Sequence, residues 1–248
     1  MSLDRRSFLS FGATGTLAAL GAAIDSTADV AEARELEHHI QRHRIIYGLP
    51  ASSKNRFAWT IDDGVSSGSI ATYTAKALDN PDIKYTYFVN SMYASWSKNA
   101  GALRELISRG QVQLANHTHT HPDLRTKTNH GIQRNLLDCH NYLEDKFGID
   151  ARPFWRPPYG YWDMRVLQAA ADIGYTAPVM WYGTLGTDSQ YVNKTKLIAN
   201  ARKWIADDRV VIDHANNTVG AQNFDALYSV IQSKKLSMVT LREAFPTY

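Results

Sequence analysis

Cysteine is almost missing: Cys139 is the single one in 248 residues. That excludes an intrachain disulfide and a cysteine-rich zinc site. Its place inside a helical pattern reads as a small buried apolar residue. No run of five or more like charges occurs, which argues against a nucleic-acid-binding arm and against an acidic tail. The formal charge is only +3, from 27 basic and 24 acidic residues. Such a balance favours encounter with anionic polymers and specifies nothing further. Internal repeats and low-complexity linkers are also lacking. With 44% hydrophobic residues, a chain of this length can bury one large core, so a single main domain is expected.

The N-terminus reads as a routing label. Asp4-Arg5-Arg6-Ser7-Phe8-Leu9-Ser10 resembles a twin-arginine export motif, and an apolar run diluted with Gly, Ala and Thr follows to about Ala23. Residues 1–33 are therefore expected to be a signal peptide, cleaved after Ala33 or nearer Ala23. The protein would then lie in the periplasm or outside the cell. An ordinary secretory signal is the alternative. The run is weakly apolar and short for a membrane span, so stable membrane insertion after processing is not expected. The twin-arginine route carries folded proteins, which would allow a metal to be loaded before export. Residues 34–54 form a polar lead segment that enters the core through Leu36, Ile40, Ile45 and Ile46, with a short helix expected.

Beyond residue 55 strands and helices alternate. Strand-like stretches are Arg56–Ile61, Lys84–Val89, Val112–Ala115, Phe154–Arg156, Thr176–Trp181, Arg209–Ile212 and Ser237–Thr240. Helical patterns cover Ser66–Leu78, Asn99–Arg109, Asn129–Phe147, Asp163–Ile173, Lys194–Ile205 and Phe224–Gln232, several of them stopped by glycine. Seven strands alternating with helices imply an α/β domain over residues 55–248, its strands parallel and joined by helical crossovers. The rhythm does not separate a barrel from an open sheet.

Four sets of residues could do chemistry. Asp62 and Asp63 end the first strand, ahead of Gly64. An Asp-Gly turn would explain them, but strand alternation points neighbouring side chains apart. One carboxylate can then hold a metal while the other stays free as a base. His117, His119 and His121 follow the third strand; a polar loop with chance histidines is the plainer explanation, and spacing alone leaves the ligand pair open. Two histidines with one carboxylate make a catalytic metal set that leaves positions for water and substrate. Residues 154–162 carry five aromatics around Arg156-Pro157-Pro158-Tyr159-Gly160. Core packing accounts for some of them; the prolines stiffen a turn, the arginine can grip a carboxylate by a rigid fork, and aromatic faces suit a sugar ring. His214 ends a late strand after Asp213. All four sets lie at C-terminal strand ends, the face where parallel α/β barrels place active sites.

In this order the four sets resemble the polysaccharide deacetylases of carbohydrate esterase family four, the nodulation-deacetylase homology domain. The resemblance covers residues 55–245 and implies a distorted barrel of seven β/α units, (β/α)7. Thr60-Ile61-Asp62-Asp63-Gly64 is similar to its first motif and implies Asp62 as base and Asp63 as metal ligand. His117-Thr118-His119-Thr120-His121 fits the second, with His117 and His121 as ligands. In the third, Arg156 would orient Asp62 and the Tyr159 N–H would bind an oxyanion. Ile212-Asp213-His214 stands for Leu-x-His and marks His214 as the general acid. The family's Asp-Trp pair finds its nearest match in Asp188-Ser189, with Asp188 tuning the acid histidine; the tryptophan is missing, and Val65 replaces a frequent proline. The resemblance implies one divalent metal ion, zinc foremost, with cobalt, manganese, nickel or iron as alternatives. It implies an acetylated polysaccharide partner (chitin-like, peptidoglycan or exopolysaccharide) and removal of N-acetyl groups by metal-activated water. Other readings are an O-acetyl esterase on xylan-type polymers, a hydrolase of a small amide, and a non-catalytic carbohydrate-binding protein.

Overall fold

The computed structural model describes residues 45–52, 54–189 and 191–248. The expected signal peptide and the first part of the lead segment lie outside these residues. Eight strands are found among the described residues: β1 Arg56–Asp63, β2 Tyr85–Val89, β3 Val112–Asn116, β4 Phe154–Trp155, β5 Ala177–Pro178, β6 Gly183–Thr184, β7 Val210–His214 and β8 Ser237–Met238. All pairings between them are parallel. The order is β5-β4-β3-β2-β1-β7-β6, with β8 paired to the start of β1. This curled sheet, wrapped by helices, is the distorted barrel the sequence resemblance implied. One strand more is present than expected, because the stretch 176–181 supplies only β5, and β6 follows as a separate Gly-Thr pair. Two residues without apolar alternation leave no strand signal.

The short helix expected in the lead segment falls mainly on residues outside those described. Residues 45–52 make two isolated bridges: Ile46 with Val179 in parallel and Gly48 with Arg209 in antiparallel. Ile46 N–H donates to Pro178 O at 2.8 Å and Leu49 N–H to Asp208 O at 2.7 Å. The segment thus pairs with chain beside both β5 and β7, across the side of the sheet where β5 and β6 do not meet.

Alternation along the strands builds two apolar layers. Phe57, Trp59 and Ile61 of β1 join Tyr85, Tyr87, Val112, Leu114 and Val211 in the large cluster under the helices. Ala58, Phe88, Ala115, Phe154, Ala177 and Val210 form the smaller cluster inside the curl. The same period of two puts Thr60 and Asp62 on the inner side. Helices α1 Ser67–Asp79, α2 Ala100–Ser108, α3 Asn129–Phe147, α4 Met164–Ala171, α5 Lys194–Trp204 and α6 Phe224–Ser233 cover the outside. Their starts are chemically marked: Ser66, Thr128, Asp163 and Asn193 each accept a bond from the backbone N–H three residues on, which satisfies a donor the helix leaves unpaired. Gly148 ends α3 in the left-handed conformation, φ 68°.

Gly64 is required where β1 turns out of the sheet. Its φ is +96°, and a Cβ there would lie 2.4 Å from the Trp96 ring. Trp96 cannot withdraw, because its Nε1–H is held between Asp63 O and Asn90 O at 3.1 Å each. Gly110, by contrast, has φ +69° with open space around it. Gly110→Ala should therefore cost about 1–2 kcal/mol from backbone strain alone. Gly64→Ala should cost about 1–3 kcal/mol more, from overpacking. Urea unfolding of both variants checks the ranking; equal losses would mean that Trp96 yields freely.

Candidate metal centre and active site

Sheet geometry brings the first two residue sets together. Asp62 and Asp63, consecutive at the end of β1, would face opposite ways in a regular strand. Asp63 has φ 72°, and this left-handed turn brings its carboxylate to the same side as Asp62. The Nε2 atom of His117 lies 3.5 Å from Asp62 Oδ2 and 3.4 Å from Asp63 Oδ1. His121 Nε2 is 3.3 Å from the same Asp63 oxygen. One ligand atom from each of Asp63, His117 and His121 falls within 4.8 Å of the others.

The chemistry of this set fits a divalent cation. His117 Nδ1 is 2.7 Å from Arg156 O; a carbonyl only accepts, so Nδ1 carries the proton and the Nε2 lone pair faces the cluster. Asp63 Oδ2 accepts from Asn216 Nδ2 at 2.7 Å, leaving Oδ1 for the ion. Burial disfavours the charged form of Asp63, but the hydrogen bond and charge of His117 with the charge of His121 hold its carboxyl well below the usual range. Burial and neighbouring His117 push His121 down to about 4, so it is neutral at pH 7, as a ligand must be. Burial works against charging His117 too, yet Asp62 and Asp63 together raise its pKa.

The loop between the two candidate ligands turns the third histidine away from them. Thr118 and His121 both have positive φ, 69° and 52°. Asn116 Oδ1 accepts from Thr118 N–H at 2.8 Å, and Thr118 Oγ1 accepts from His121 N–H at 3.1 Å. His119 is turned aside, with Nδ1 2.9 Å from Ser91 Oγ and its N–H on Asn135 Oδ1 at 2.8 Å. Asn135 of α3 thus anchors the middle of the loop.

Arg156 is fully buried. Its Nη1 donates to Asp62 Oδ1 at 2.5 Å and Thr60 Oγ1 at 3.0 Å, its Nε to Val179 O at 2.8 Å, and its Nη2 to Met180 O at 3.1 Å. The guanidinium lies 4.0 Å from the Phe88 ring centroid and 5.6 Å from that of Trp181. Asp62 Oδ2 takes no part in this grip. Three residues on, Tyr159 has φ 62° within a short 3-10 turn after the two prolines. Its half-exposed ring meets His121 edge to face, 4.6 Å between centroids.

His214 ends β7 in register with Asp62 on the adjoining strand. Its Nδ1 is buried with no hydrogen-bond partner. Asp188 is exposed and makes no ion pair or hydrogen bond with His214 among the described residues. The carboxylate that does adjoin His214 is Asp213. It is fully buried and accepts from Trp59 Nε1 at 3.1 Å, Tyr73 OH at 2.7 Å, Thr187 Oγ1 at 2.5 Å and the His214 N–H at 2.8 Å. Burial raises its pKa while the bonds from Thr187 and Tyr73 work the other way. Sequence reasoning missed Asp213, Thr187, Asn216 and Asn135. Strand alternation alone could have turned attention to Asp213, since it must face away from His214. The other three owe their places to contacts between distant segments.

Residues 50–178 match the family described as polysaccharide deacetylase, and the chain belongs to that family. It is 27% identical over 190 residues to a chitin deacetylase of Amylomyces rouxii, covering 71% of this chain and 43% of that one. It is 24% identical over 217 residues to the peptidoglycan-N-acetylmuramic acid deacetylase PdaA of Bacillus subtilis, covering 84% and 77%. The chain thus spans less than half the length of some curated relatives, and 26% of a Cryptococcus neoformans chitin deacetylase. The solved structure of PdaA, a family 4 carbohydrate esterase, superposes with a TM-score of 0.74 at 19% identity, covering 86% of this chain and 90% of that one. A family 4 pseudoenzyme from Bacillus anthracis superposes at 0.69 with 18% identity, covering 81% and 68%. Both likenesses show the fold; since one partner is a pseudoenzyme, the fold by itself does not assign activity.

Two predictions follow from this geometry. Asp62 and Asp63 raise the pKa of His117, and a bound zinc needs its neutral form, so binding should release more protons and weaken as pH falls. Titration calorimetry in buffers of different ionisation heat checks this; heats independent of buffer would contradict it. Cys139, buried behind the site with its thiol pushed up to about 12, should resist a thiol reagent at pH 8 until urea unfolds the chain. Rapid labelling of the folded protein would show the thiol to be accessible.

Proposed function

We propose that this chain removes acetyl groups from N-acetylated amino sugars of a polysaccharide, chitin-like, peptidoglycan or exopolysaccharide. One observation carries the reading: Asp62 stands beside the Asp63-His117-His121 cluster, gripped through Oδ1 by a buried arginine, with Oδ2 left to take a proton. A divalent ion on Asp63, His117 and His121, zinc foremost, would supply the Lewis acid that polarises the acetyl carbonyl and acidifies water.

The remaining work falls to the chain's own groups. Asp62 accepts the proton of the attacking water at Oδ2, while Arg156 fixes the plane of its carboxylate. The Tyr159 N–H, aimed by its left-handed turn, donates to the oxygen that gains charge. His214, on the strand next to Asp62, protonates the departing amine. Asp213 and Thr187 hold the His214 backbone in place for that step. Acetate and a free amino sugar are the products. Export on the N-terminal segment belongs to the same reading, because these polymers lie outside the cytoplasm. Among the described residues no helix is long and apolar enough to cross a membrane.

Acetate release from N-acetylglucosamine oligomers, peptidoglycan and acetylxylan, with and without a chelator, tests the activity. Activity on acetylxylan alone would make the chain an O-acetyl esterase, and no release from any polymer would reduce it to a binding protein. Two variants test the division of labour. Asp63→Asn should lose both zinc and activity. Asp62→Asn should keep its zinc while activity falls by about 10²–10⁴. Loss of zinc from Asp62→Asn would merge the two roles and remove the separate base.

A further inference from the structure

A cavity of about 370 Å³ lies beside Asn216, two positions past the proposed acid histidine, and is lined by Asp188, Ser189, Asn216, Asn217, Thr218 and Gln222 together with two valines. That volume falls in the range of small-ligand sites, about 300–1,000 Å³. It adjoins the metal cluster through Asn216, whose Nδ2 binds Asp63 Oδ2 and whose Oδ1 is buried without a partner. Asn217 is rigidly set, donating to Thr187 O at 2.8 Å and accepting from Val219 N–H at 3.0 Å. Asp188 has no ion-pair or hydrogen-bond partner among the described residues, and none of the lining residues is cationic. The cavity therefore holds one unpaired carboxylate among amides, hydroxyls and the apolar side chains of Val192 and Val219.

We propose that this cavity is a subsite for a neighbouring amino-sugar unit that already carries a free ammonium group, paired with Asp188. The inference rests on the deacetylase reading and names the form of polymer that the site prefers. Amides and hydroxyls suit the hydroxyl groups of a sugar ring, and a solitary carboxylate suits the one cation such a polymer can bear. Each hydrolysed acetamide creates that cation. The product of one turnover thus becomes a better-held neighbour for the next, and deacetylated units accumulate in runs.

Two N-acetylglucosamine tetramers test this with the zinc-loaded protein, one fully acetylated and one retaining a single acetyl group. At low salt the partly deacetylated tetramer should show a KM about 2–5-fold lower, the scale of one partly exposed ion pair. Concentrated salt should close the gap, and so should Asp188→Asn. If Asp188 instead acts on His214, Asp188→Asn lowers kcat on both tetramers equally and keeps the KM ratio, which overturns the subsite. A binding measurement runs independently of turnover: tetra-glucosamine, which has no acetyl group to lose, should bind Asp188→Asn about 2–5-fold more weakly than the unaltered protein. Equal affinities also overturn it. Failure of every oligomer to release acetate, with that binding difference intact, removes the deacetylase reading and leaves the cation subsite standing.

Discussion

A guanidinium with no access to water organises the centre of this protein. Arg156 reaches a carboxylate, a hydroxyl and two carbonyls while its faces lie near Phe88 and Trp181. A buried charge is tolerated only when its donors are used and its partner is close. Both conditions are met here by residues from β1 and from the stretch after β5. The pair orders chemistry more than it adds stability, since a well-packed apolar replacement of such a pair is often neutral or stabilising. What it secures is one orientation of Asp62, one oxygen engaged and the other open. The carbonyl of the same arginine accepts from His117, so Asp62 and His117 are aligned by a single residue.

Backbone strain gathers at the same place. Six non-glycine residues among those described have positive φ, and four of them, Asp63, Thr118, His121 and Tyr159, belong to the site. Each such turn costs about 1–2 kcal/mol, and it persists because neighbours leave no alternative. The Trp96 indole binds Asp63 O, the Asn116 amide binds the Thr118 N–H, and the Thr118 hydroxyl binds the His121 N–H. The strain aims side chains where a regular strand or turn would not. The placement of the three candidate ligands therefore depends on the amides and the indole around them.

Family membership and fold leave the substrate open, because one fold in this family supports both deacetylases and a pseudoenzyme. Function lives in the site and its margins. Here the margin is distinctive. The carboxylate adjoining His214 is Asp213, sunk among Trp59, Tyr73 and Thr187, while Asp188 lines a separate cavity. One of these acids is fully buried and the other exposed.

Much was legible from residue order alone. Period-two alternation identified β1, β2, β3 and β7 and set Asp62 and His214 at strand ends. Gly148 marked a helix end. Those signals are local, carried by residues within one or two turns of each other. The rest depends on contacts that sequence distance hides: Arg156 meets Asp62 across 94 positions, and Asn216 meets Asp63 across 153. Which histidine turns away, which acid lies beside His214 and where the lead segment pairs were settled by strand order and loop path. Only tertiary structure supplies these, because periodicity records which face a side chain takes and carries no information about what another segment brings to meet it.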